Sequence, residues 1–423
     1  MSNTAIKKAI GRRVWDSRGR PTVEAEITLA DGSVGRGMAP AGASRGSREA
    51  VDLRDGGDKL GGFDVKRAVA NVNGEIARAL IGLDATHQAG IDARLIELDG
   101  TPTKSRLGGN ATVAASLAAL HAAAASAKQP LWQYVAQGAP VQMPLPEIQI
   151  FGGGAHAGRR VDIQDFMVMA LGAKSFDEAL EMTAEVYLAA GSLMKTAGKQ
   201  AGVADEGGYW PLFAANEEAL EMLTLAIETA GFSHEQVAIS LDIAASEFGA
   251  KGRYKLGLES REFDTSGLID MLGKWIDAYP IVSVEDPLAE DDEAGLIEFT
   301  RRFGAKVQII GDDYLVTSAE RVRHAAGIKA CNCALIKLNQ AGTVTETKAA
   351  LGAAQAAGWN AVVSARSGET EDVTITHLAV GWNAGQLKVG SFSRSERMAK
   401  WNEGVRIEEA TRAPFAGRQA LFR

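Results

Sequence analysis

The chain has 423 residues, of which 46% are hydrophobic and 23% are charged, and its formal net charge is −8. This length exceeds what one hydrophobic core usually serves, so we expect two domains. The acidic balance disfavours nucleic acid or an anionic membrane as the main partner. Residues 1–11 lack the apolar core of a signal peptide, and no apolar run is long enough to cross a bilayer. We therefore expect a cytoplasmic protein.

The first 60 residues alternate between apolar and polar side chains, as β-strands do. Ala5–Trp15, Thr22–Leu29 and Ser33–Met38 are the predicted strands, and turn-forming residues separate them. The segment Pro40–Gly46, PAGASRG, is too rich in small residues to be a core element. Its composition fits a flexible surface turn and a mobile lid over a binding site equally well.

Residues 65–137 are predicted to be helical, with amphipathic helices at Val65–Ile81 and Thr86–Leu98. Asn110–Lys128 is alanine-rich and nearly apolar on all sides, which predicts a buried helix with Asn110 as its N-cap. The N-terminal region is therefore predicted to be α+β. Prolines near residue 140 mark the predicted boundary between an α+β capping domain, 1–140, and a second domain, 141–423.

From Glu147 onward, strand-like runs alternate with helical stretches, and this pattern is typical of α/β folds. The predicted strands are Glu147–Phe151, Gln164–Met169, Val237–Asp242, Ile281–Glu285, Val307–Asp312, Ala334–Lys337, Asn360–Ser364 and Gln386–Lys388. Eight such strands predict a closed, parallel, TIM-like β/α barrel behind the α+β capping domain. The only cysteines, Cys331 and Cys333, stand at i and i+2 of one predicted strand. We expect them on one face as buried thiols, rather than in a disulfide or a zinc site.

Charged side chains stand at the ends of four predicted barrel strands, namely Asp242, Glu285, Asp312 and Lys337. The carboxyl ends of parallel barrel strands form one face, and that face carries the chemistry. Each carboxylate alone could equally well be a structural group, as a helix N-cap or a satisfied strand end, or a functional one. Two like charges about 4 Å apart repel by about 4 kcal/mol at an effective dielectric of about 20, so three converging carboxylates need a cation. Oxygen ligands without histidine or cysteine favour Mg²⁺.

Lys337 has two interpretations. It could form a salt bridge to the acidic residues, or it could be a general base, which requires its pKa to fall below the usual value of about 10.4. A neighbouring cation would lower the pKa, and Lys388 is the candidate. Near neutral pH, such a lysine beside a divalent metal can remove a proton α to a carboxylate.

Further polar residues stand in loop-like segments that are each weak motifs alone. They are Glu206 in VADEGGYWP, Gln164 and Asp165 in QDFM at a predicted strand end, His156 in FGGGAHAG, and Arg366 and Ser367 in SARSGETED. The last segment combines a guanidinium with exposed backbone amides, which indicates an anion site.

Together these segments resemble the enolase (phosphopyruvate hydratase) family along almost the whole chain. The matching runs are WDSRGRPTVEAEI, PAGASRGSREAVDLRDG, GTPTKSRLGGNAT, VDIQDFM, VADEGGYWP, SLDIAASEF, PIVSVEDPLAEDD, IIGDDYLVT, LIKLNQAGTVTET, RSGETED and VGSFSRSERMAKWN. Such an ordered set is highly specific for the family and less specific for the activity. It implies an enolase-type barrel, a homodimer or higher homo-oligomer, a small phosphorylated carboxylate as substrate, and two Mg²⁺ ions, the second dependent on substrate.

The resemblance also implies a role for each matching residue. Asp242, Glu285 and Asp312 match the ligands of the first Mg²⁺, and Ser44 matches the loop serine that joins the second Mg²⁺ over the substrate. Lys337 matches the base that removes the C2 proton of 2-phosphoglycerate, and Glu206 matches the acid that helps the C3 hydroxyl leave. Lys388 matches the lysine near the substrate carboxylate, Arg366 and Ser367 match phosphate contacts, and His156 and Gln164 match other active-site groups.

Two departures from the family pattern concern the site itself. Asp165 stands where enolases carry a second catalytic glutamate, and Ala365 stands where SHRSG has histidine. Gly152, Ala41 and Arg45 are smaller departures. The favoured hypothesis is reversible dehydration of 2-phosphoglycerate to phosphoenolpyruvate. The alternatives are a diverged enzyme acting on another phosphorylated or phosphonylated carboxylate, and a non-catalytic binding protein on the same fold.

Overall fold

A computed structural model describes residues 2–421 of the chain. The elements of its N-terminal part are β1 (Ile6–Trp15), β2 (Pro21–Leu29), β3 (Val34–Met38), α1 (Lys66–Asn71), α2 (Ala77–Leu80), α3 (Gln88–Asp99), α4 (Gly109–Ser126) and α5 (Leu131–Ala136). The three predicted strands and the predicted α+β character are confirmed. The helix predicted at Val65–Ile81 is α1 and α2 joined by a π-helical turn at Val72–Ile76.

Helix α4 packs directly on strands β2 and β3 of the antiparallel sheet β1–β2–β3. Two glycines of β3 allow this contact: a Cβ on Gly35 would lie 2.1 Å from the backbone nitrogen of Ala122, and one on Gly37 would lie 2.5 Å from the carbonyl oxygen of Ala114. Because the helix is mostly alanine, its backbone can approach the strand closely and bury almost every side. The predicted buried helix is confirmed.

The predicted N-cap of α4 is wrong. Gly108 is the N-cap, with a φ of +99° that suits glycine, and Asn110 lies in the first turn. The Asn110 side chain instead accepts the N–H of Leu53 at 3.3 Å and donates to the carbonyl of Leu53 at 3.1 Å. Asn110 therefore ties the helix to the chain that follows the Pro40–Gly46 segment.

The second part of the chain is a barrel with added strands. Its elements are β4 (Leu145–Gly152), β5 (Asp165–Met169), α6 (Phe176–Ala197), β6 (Gln200–Val203), β7 (Tyr209–Pro211), α7 (Asn216–Thr229), β8 (Ala238–Asp242), β9 (Gly249–Ala250), β10 (Arg253–Leu256), β11 (Arg261–Asp264), α8 (Thr265–Ala278), β12 (Ile281–Glu285), α9 (Glu293–Phe303), β13 (Gln308–Gly311), α10 (Ala319–Ile328), β14 (Cys333–Ile336), α11 (Leu338–Ala341), α12 (Val344–Ala356), β15 (Asn360–Ser364), α13 (Thr374–Gly381), β16 (Gly385–Gly390) and α14 (Ser395–Thr411).

The eight predicted barrel strands correspond to β4, β5, β8 and β12–β16, and pairing of β16 with β4 closes the barrel. The prediction of an all-parallel barrel is wrong at one strand, because β5 runs antiparallel to both β4 and β8. Only a one-turn 3-10 helix at Gly154–Ala157 lies between β4 and β5, so the connection lacks the helix that a parallel crossover needs.

The reversed strand changes how Gln164 and Asp165 reach the site. The QDFM motif was interpreted as a strand end, although the predicted bounds Gln164–Met169 start at Gln164; in the structure Asp165 begins β5 and Gln164 precedes it. In an antiparallel strand the first residue lies at the edge where its neighbours end, and Asp165 is accordingly the register partner of Asp242. Both residues therefore still reach the predicted face.

The sequence analysis did not predict one hairpin and one small sheet. The hairpin β6–β7 continues the barrel sheet beyond β4 and holds the Glu206 loop, and β9, β10 and β11 form a separate three-stranded sheet. Strand β14 begins at Cys333, so the prediction that both cysteines lie in it is wrong, although both are buried free thiols as predicted. Among the helices of residues 2–421, none has both the length and the apolar character needed to span a bilayer.

Candidate active site

The predicted strand-end residues meet at one edge of the barrel. Asp242 and Glu285 are the last residues of β8 and β12 and are register partners of each other. Asp312 and Lys337 directly follow β13 and β14, and Lys388 lies in β16. All five side chains are buried. The structure therefore confirms that the barrel brings these charges to one face.

The Lys388 ammonium bridges two of the acids. Its Nζ lies 2.9 Å from Oδ2 of Asp242 and 2.7 Å from Oε2 of Glu285. Burial lowers the pKa of Lys388, but the carboxylates of Asp242 and Glu285 outweigh burial and raise it well above its usual value. Burial and the charge of Asp242 raise the pKa of Glu285. One lysine thus holds two carboxylates that would otherwise repel each other.

Asp312 is held separately, by Lys337. The Lys337 Nζ lies 2.5 Å from Oδ2 of Asp312, and Gln340 donates to the other carboxylate oxygen at 2.7 Å. Burial lowers the pKa of Lys337 and raises that of Asp312, but the ion pair outweighs burial at both groups, so the pKa of Lys337 is raised and that of Asp312 is lowered. The lysine pKa is therefore shifted in the opposite direction to the one that a general base requires.

The three predicted metal ligands share an edge but do not form one tight cluster. Within residues 2–421, two groups of three possible metal ligands have ligand atoms that all lie within 4.8 Å of one another. One group is Asp286, Asp312 and Asp313, and the other is His156, Asp165 and Glu206. The Asp286 carboxylate accepts the backbone N–H groups of Asp312 at 2.8 Å and Asp313 at 2.9 Å, which fixes the turn after β13. Burial and the charge of Asp312 raise the pKa of Asp286 to about 8.

The donor set at this edge nevertheless fits a hard divalent cation. In the described chain, Oε1 of Glu285 and Oε1 of Gln164 are buried without a hydrogen-bond partner, and Oδ2 of Asp165 has no hydrogen bond but lies 3.7 Å from Lys388 Nζ. Buried acceptors of this kind are costly unless a cation or a donor meets them. Because they are oxygen atoms, they suit Mg²⁺ better than a softer metal.

The other end of the site centres on His156. Its Nδ1 lies 2.8 Å from Oδ1 of Asp165, and its Nε2 lies 2.9 Å from the hydroxyl of Ser367 and 3.7 Å from the Glu206 carboxylate. Burial lowers the pKa of His156, but Asp165 and Glu206 raise it to about 9. The pKa of Asp165 stays below its usual range, because His156 and Lys388 outweigh the effect of burial. His156 is therefore an imidazolium at neutral pH.

The segment Pro40–Gly46 lies over this end. Ala41 and Gly368 exchange two backbone hydrogen bonds of 2.9 Å, and the N–H of Ala43 donates to the Ser367 hydroxyl at 3.1 Å. The carbonyl of Ser44 accepts from Arg366 at 2.9 Å, and Ser44 is buried. The segment is thus packed against site residues rather than exposed as a surface turn.

Arg366 is held from two sides. Its Nη1 donates to Glu49 at 3.0 Å and to the side-chain oxygen of Asn339 at 2.9 Å. A Cβ on Gly42 would lie 1.9 Å from Arg366 Nη2, so glycine is required where the segment crosses the guanidinium. Ala365 is buried beside it. Residues outside the SARSGETED segment, Glu49 and Asn339, therefore hold Arg366 in place at the predicted anion site.

One cavity joins the two ends. It is lined by Ser44, His156, Gln164, Asp165, Glu206, Asp242, Lys337, Ser364, Ala365, Arg366, Ser367 and Lys388. Of the predicted site residues, only Glu285 and Asp312 are absent from this lining, and each is hydrogen-bonded to a lysine that does line it. The structure thus brings the predicted set together around one space.

Three contributing residues were missed by the sequence analysis. Glu49 and Gln340 hold Arg366 and Asp312 from outside the cavity, and no local motif marks them. Glu147 is fully buried in β4, where it accepts the Ser240 hydroxyl, and its pKa is raised by burial. Its register partner is Lys388. The alternation of polar Glu147 and Gln149 along an apolar strand was the available signal.

Comparison with known proteins agrees with this geometry. The family described as "Enolase, N-terminal domain" matches residues 6–135, and "Enolase, C-terminal TIM barrel domain" matches residues 140–422. The chain is 50% identical over 414 residues to "Enolase 1" of Desulfitobacterium hafniense (strain Y51), which covers 97% of this chain and 95% of that protein. The fold and the resemblance inferred from the motifs are confirmed, and the chain belongs to the enolase family of carbon–oxygen lyases.

Proposed function

We propose that the chain catalyses the reversible, Mg²⁺-dependent dehydration of 2-phosphoglycerate to phosphoenolpyruvate. The observation that carries this proposal is the shared cavity, which presents Lys337 and Glu206 together with the anion-binding side chains of Arg366 and Ser367. Proton removal and departure of a hydroxyl need a base and an acid positioned around one small anionic substrate.

In this proposal Lys337 is the base that takes the C2 proton, and Glu206 is the acid that helps the C3 hydroxyl leave. Lys388 contacts the substrate carboxylate, and Arg366 and Ser367 contact the phosphate. Further substrate contacts come from His156 and Gln164, and Asp165 occupies the second acidic position. These roles come from the family resemblance, and the convergence of the side chains around one cavity supports them.

Asp242, Glu285 and Asp312 would hold one Mg²⁺, and Ser44 would contribute to a second. Bound metal supplies positive charge that stabilises an enolate and the substrate carboxylate. For this reaction, Lys337 and Asp312 must also give up their ion pair with each other. Lys337 can act as a base only when it loses its proton, and its ion pair with Asp312 opposes that loss. Engagement of Asp312 by a cation would remove that opposition.

A diverged activity on another phosphorylated or phosphonylated carboxylate is the second candidate. Two observations favour it. The Asp165 carboxylate is committed to His156 and Gln149, and Ala365 offers no donor toward the cavity. A change of shape at the leaving-group end is how a new substrate would be admitted. A non-catalytic binding protein is the third candidate, and retention of Lys337, Glu206 and the three acids argues against it.

A coupled assay with 2-phosphoglycerate and Mg²⁺ separates the three candidates. Robust turnover that disappears on chelation supports the proposed reaction. Magnesium binding without turnover leaves the diverged enzyme and the binding protein, and exchange of the α-hydrogen of related phosphorylated or phosphonylated carboxylates with deuterated solvent then distinguishes those two.

We further propose a domain boundary near residue 140, a homodimer or higher homo-oligomer, and a cytoplasmic location, as the family leads us to expect. Gel filtration with light scattering tests the oligomeric state. Expression of 141–423 alone tests whether the barrel is an independent domain.

A further inference from the structure

A cavity of about 240 Å³ lies behind the candidate active site, between the N-terminal part and the barrel. Arg48 and Lys104 line it from the N-terminal part, and Thr317, Arg321 and Gln340 line it from the barrel. Arg48 follows closely on the Pro40–Gly46 segment that covers the active site. This cavity shares no lining residue with the cavity that holds Lys337 and Glu206.

Two arginines face this cavity without a carboxylate partner. Within residues 2–421, Arg48 forms neither an ion pair nor a side-chain hydrogen bond. Arg321 donates its Nε–H to the carbonyl of Tyr314 at 2.5 Å and lies over the Tyr314 ring, which leaves its two terminal nitrogens available. Both arginines line the same cavity, where like charges repel, and burial and the charge of Arg48 both lower the pKa of Arg321.

The carboxylates near these arginines are engaged elsewhere. Glu346 lines the cavity, but it is paired with the buried Lys104 at 2.6 Å. Glu290 accepts a backbone N–H, and Glu293 accepts a tyrosine hydroxyl and a histidine N–H. Neither lies within 4 Å of the Arg321 guanidinium nitrogens. Because Lys104 and Glu346 neutralise each other, the unpaired charges among the described residues of the cavity lining are the two guanidiniums of Arg48 and Arg321.

The backbone of the cavity wall is strained. Val316 and Thr317 are consecutive β-branched residues with φ values of +44° and +52°, a region that such residues rarely adopt. Strain of this kind persists where the surrounding structure requires a particular geometry, which is often the case at ligand sites. Helix α10 starts two residues later at Ala319, and its first N–H groups add partial positive charge to the same wall.

We propose that this cavity, which we call the rear cavity, binds a phosphate group, either as inorganic phosphate or as part of a small phosphomonoester. Arginine suits this chemistry because its planar fork donates two parallel hydrogen bonds to phosphate oxygens. A phosphate between Arg48 and Arg321 would remove their mutual repulsion. The cavity of about 240 Å³ has room for a phosphate and a short carbon chain.

The rear cavity is linked to the active site through Gln340. The Gln340 amide donates to Asp312 at 2.7 Å and to Glu49 at 3.2 Å, and it accepts from the Thr317 hydroxyl at 2.6 Å. A phosphate at this wall is therefore one hydrogen-bonded residue away from Asp312. We expect phosphate in the rear cavity to stabilise the folded protein and this hydrogen-bonded network.

Calorimetric titration of the full chain at constant ionic strength tests the proposal, with inorganic phosphate and glycerol 3-phosphate in separate arms. The variants are Arg48→Gln and Arg48→Gln/Arg321→Gln for the rear cavity, Ser367→Ala for the active site, and Arg45→Gln as a control that removes one charge, as Arg48→Gln does. Arg45 is half-exposed on the same loop and lies outside the rear cavity. Tighter binding in one arm identifies whether the free anion or the phosphomonoester is preferred.

We expect a binding event that the double variant weakens by about ten-fold or more, as expected when charge-assisted hydrogen bonds are lost, and that Ser367→Ala and Arg45→Gln leave in place. If the double variant does not fold, Arg48→Gln alone decides, because Arg48 is exposed and its loss cannot disturb the core. A single binding event lost only in Ser367→Ala would overturn the proposal. Equal weakening by Arg45→Gln would also overturn it, since it would indicate general charge attraction.

Discussion

The two ends of the active-site cavity are built in different ways. At the end that holds the proposed base, which we call the base end, Asp312 and Lys337 directly follow barrel strands, so the barrel backbone sets their positions. At the other end, which the proposed function makes the leaving-group end, His156 and Ser367 lie outside the barrel strands and are held by each other, by Asp165 and by the N–H of Ala43. The comparison shows that loop residues contribute to only one end of the cavity, whereas strand-end residues contribute to both, since Asp165 begins β5 and Ala365 directly follows β15.

The two ends also differ in how they follow the family pattern. The base end retains the three strand-end acids and Lys337 without substitution. Both principal departures, Asp165 and Ala365, line the leaving-group end together with His156. Proton abstraction can therefore persist while elimination is altered. The predictions below test this division.

The largest effect is expected at the base end. Replacement of Lys337 by alanine should lower turnover of 2-phosphoglycerate by at least about 10²–10⁴-fold, the usual contribution of a positioned base. It should also abolish exchange of the substrate α-hydrogen with deuterated solvent, which NMR detects. Lys329→Ala, an exposed lysine, serves as the control. Persistent exchange in Lys337→Ala would show that the base lies elsewhere.

The second prediction concerns Mg²⁺ binding by the three acidic residues of the base end. Asp312→Ala should weaken Mg²⁺ binding by at least about 100-fold, because changes to residues that only support metal ligands already cost 10–100-fold. It should also remove the stabilisation that Mg²⁺ gives against thermal unfolding. Calorimetry measures the affinity directly. Unchanged magnesium affinity in a folded Asp312→Ala protein would contradict the assignment.

The leaving-group end should limit activity on 2-phosphoglycerate. The shorter side chain of Asp165 withdraws the carboxylate by about 1 Å relative to glutamate, and such a displacement can cost about 10²-fold. A histidine at position 365 would add a charge-assisted donor worth about 1.5–3 kcal/mol, or roughly 10–150-fold if it acts in the transition state. Asp165→Glu with Ala365→His should therefore raise turnover by about ten-fold or more.

Steady-state kinetics of the parent and the double variant provide the measurement, with α-hydrogen exchange as the second readout. Exchange should change less than turnover, because the proposed base, Lys337, lies at the opposite end. An unchanged turnover in a folded, Mg²⁺-binding double variant would show that the departures do not limit the reaction.

Some parts of the fold and the site could be predicted from the sequence and others could not. Strand-end charges such as Glu285 could be located, because an apolar run that ends in an acid marks both the strand and its polar edge. The direction of β5 could not be predicted, since its apolar pattern is the same in either orientation and only the short connection after β4 distinguishes them. Motif resemblance, rather than periodicity, found His156 and Ser44.

Side-chain contacts between residues far apart in the sequence could not be predicted. Glu49 contacts Arg366 across 317 positions of sequence, and Gln340 contacts Glu49 across 291. Neither pairing has a local signal in a single sequence. The raised pKa of Lys337 also required the structure, because it depends on a distance of 2.5 Å to Asp312 rather than on residue identity.

The last prediction concerns stability rather than activity, and it tests the charge of His156. Its pKa in the folded protein is about 9, above the value of about 6.5 in an unfolded chain. The stability that this ion pair contributes is therefore fully present below about pH 6.5 and is lost as pH rises through about 9, up to about 3 kcal/mol in total. His156→Gln should lack this pH dependence, and Asp165→Asn should reduce it because the partner charge is gone.

Urea unfolding of the parent and His156→Gln near pH 6 and pH 10 measures the effect as a difference between proteins, so other titrating groups cancel. The exposed His87 provides the control variant His87→Gln, which should follow the parent at both pH values. If the parent and His156→Gln lose the same stability between the two pH values, His156 is not held as an imidazolium. The leaving-group end would then lack the cation that we assign to it, and its difference from the base end would rest on Asp165 and Ala365 alone.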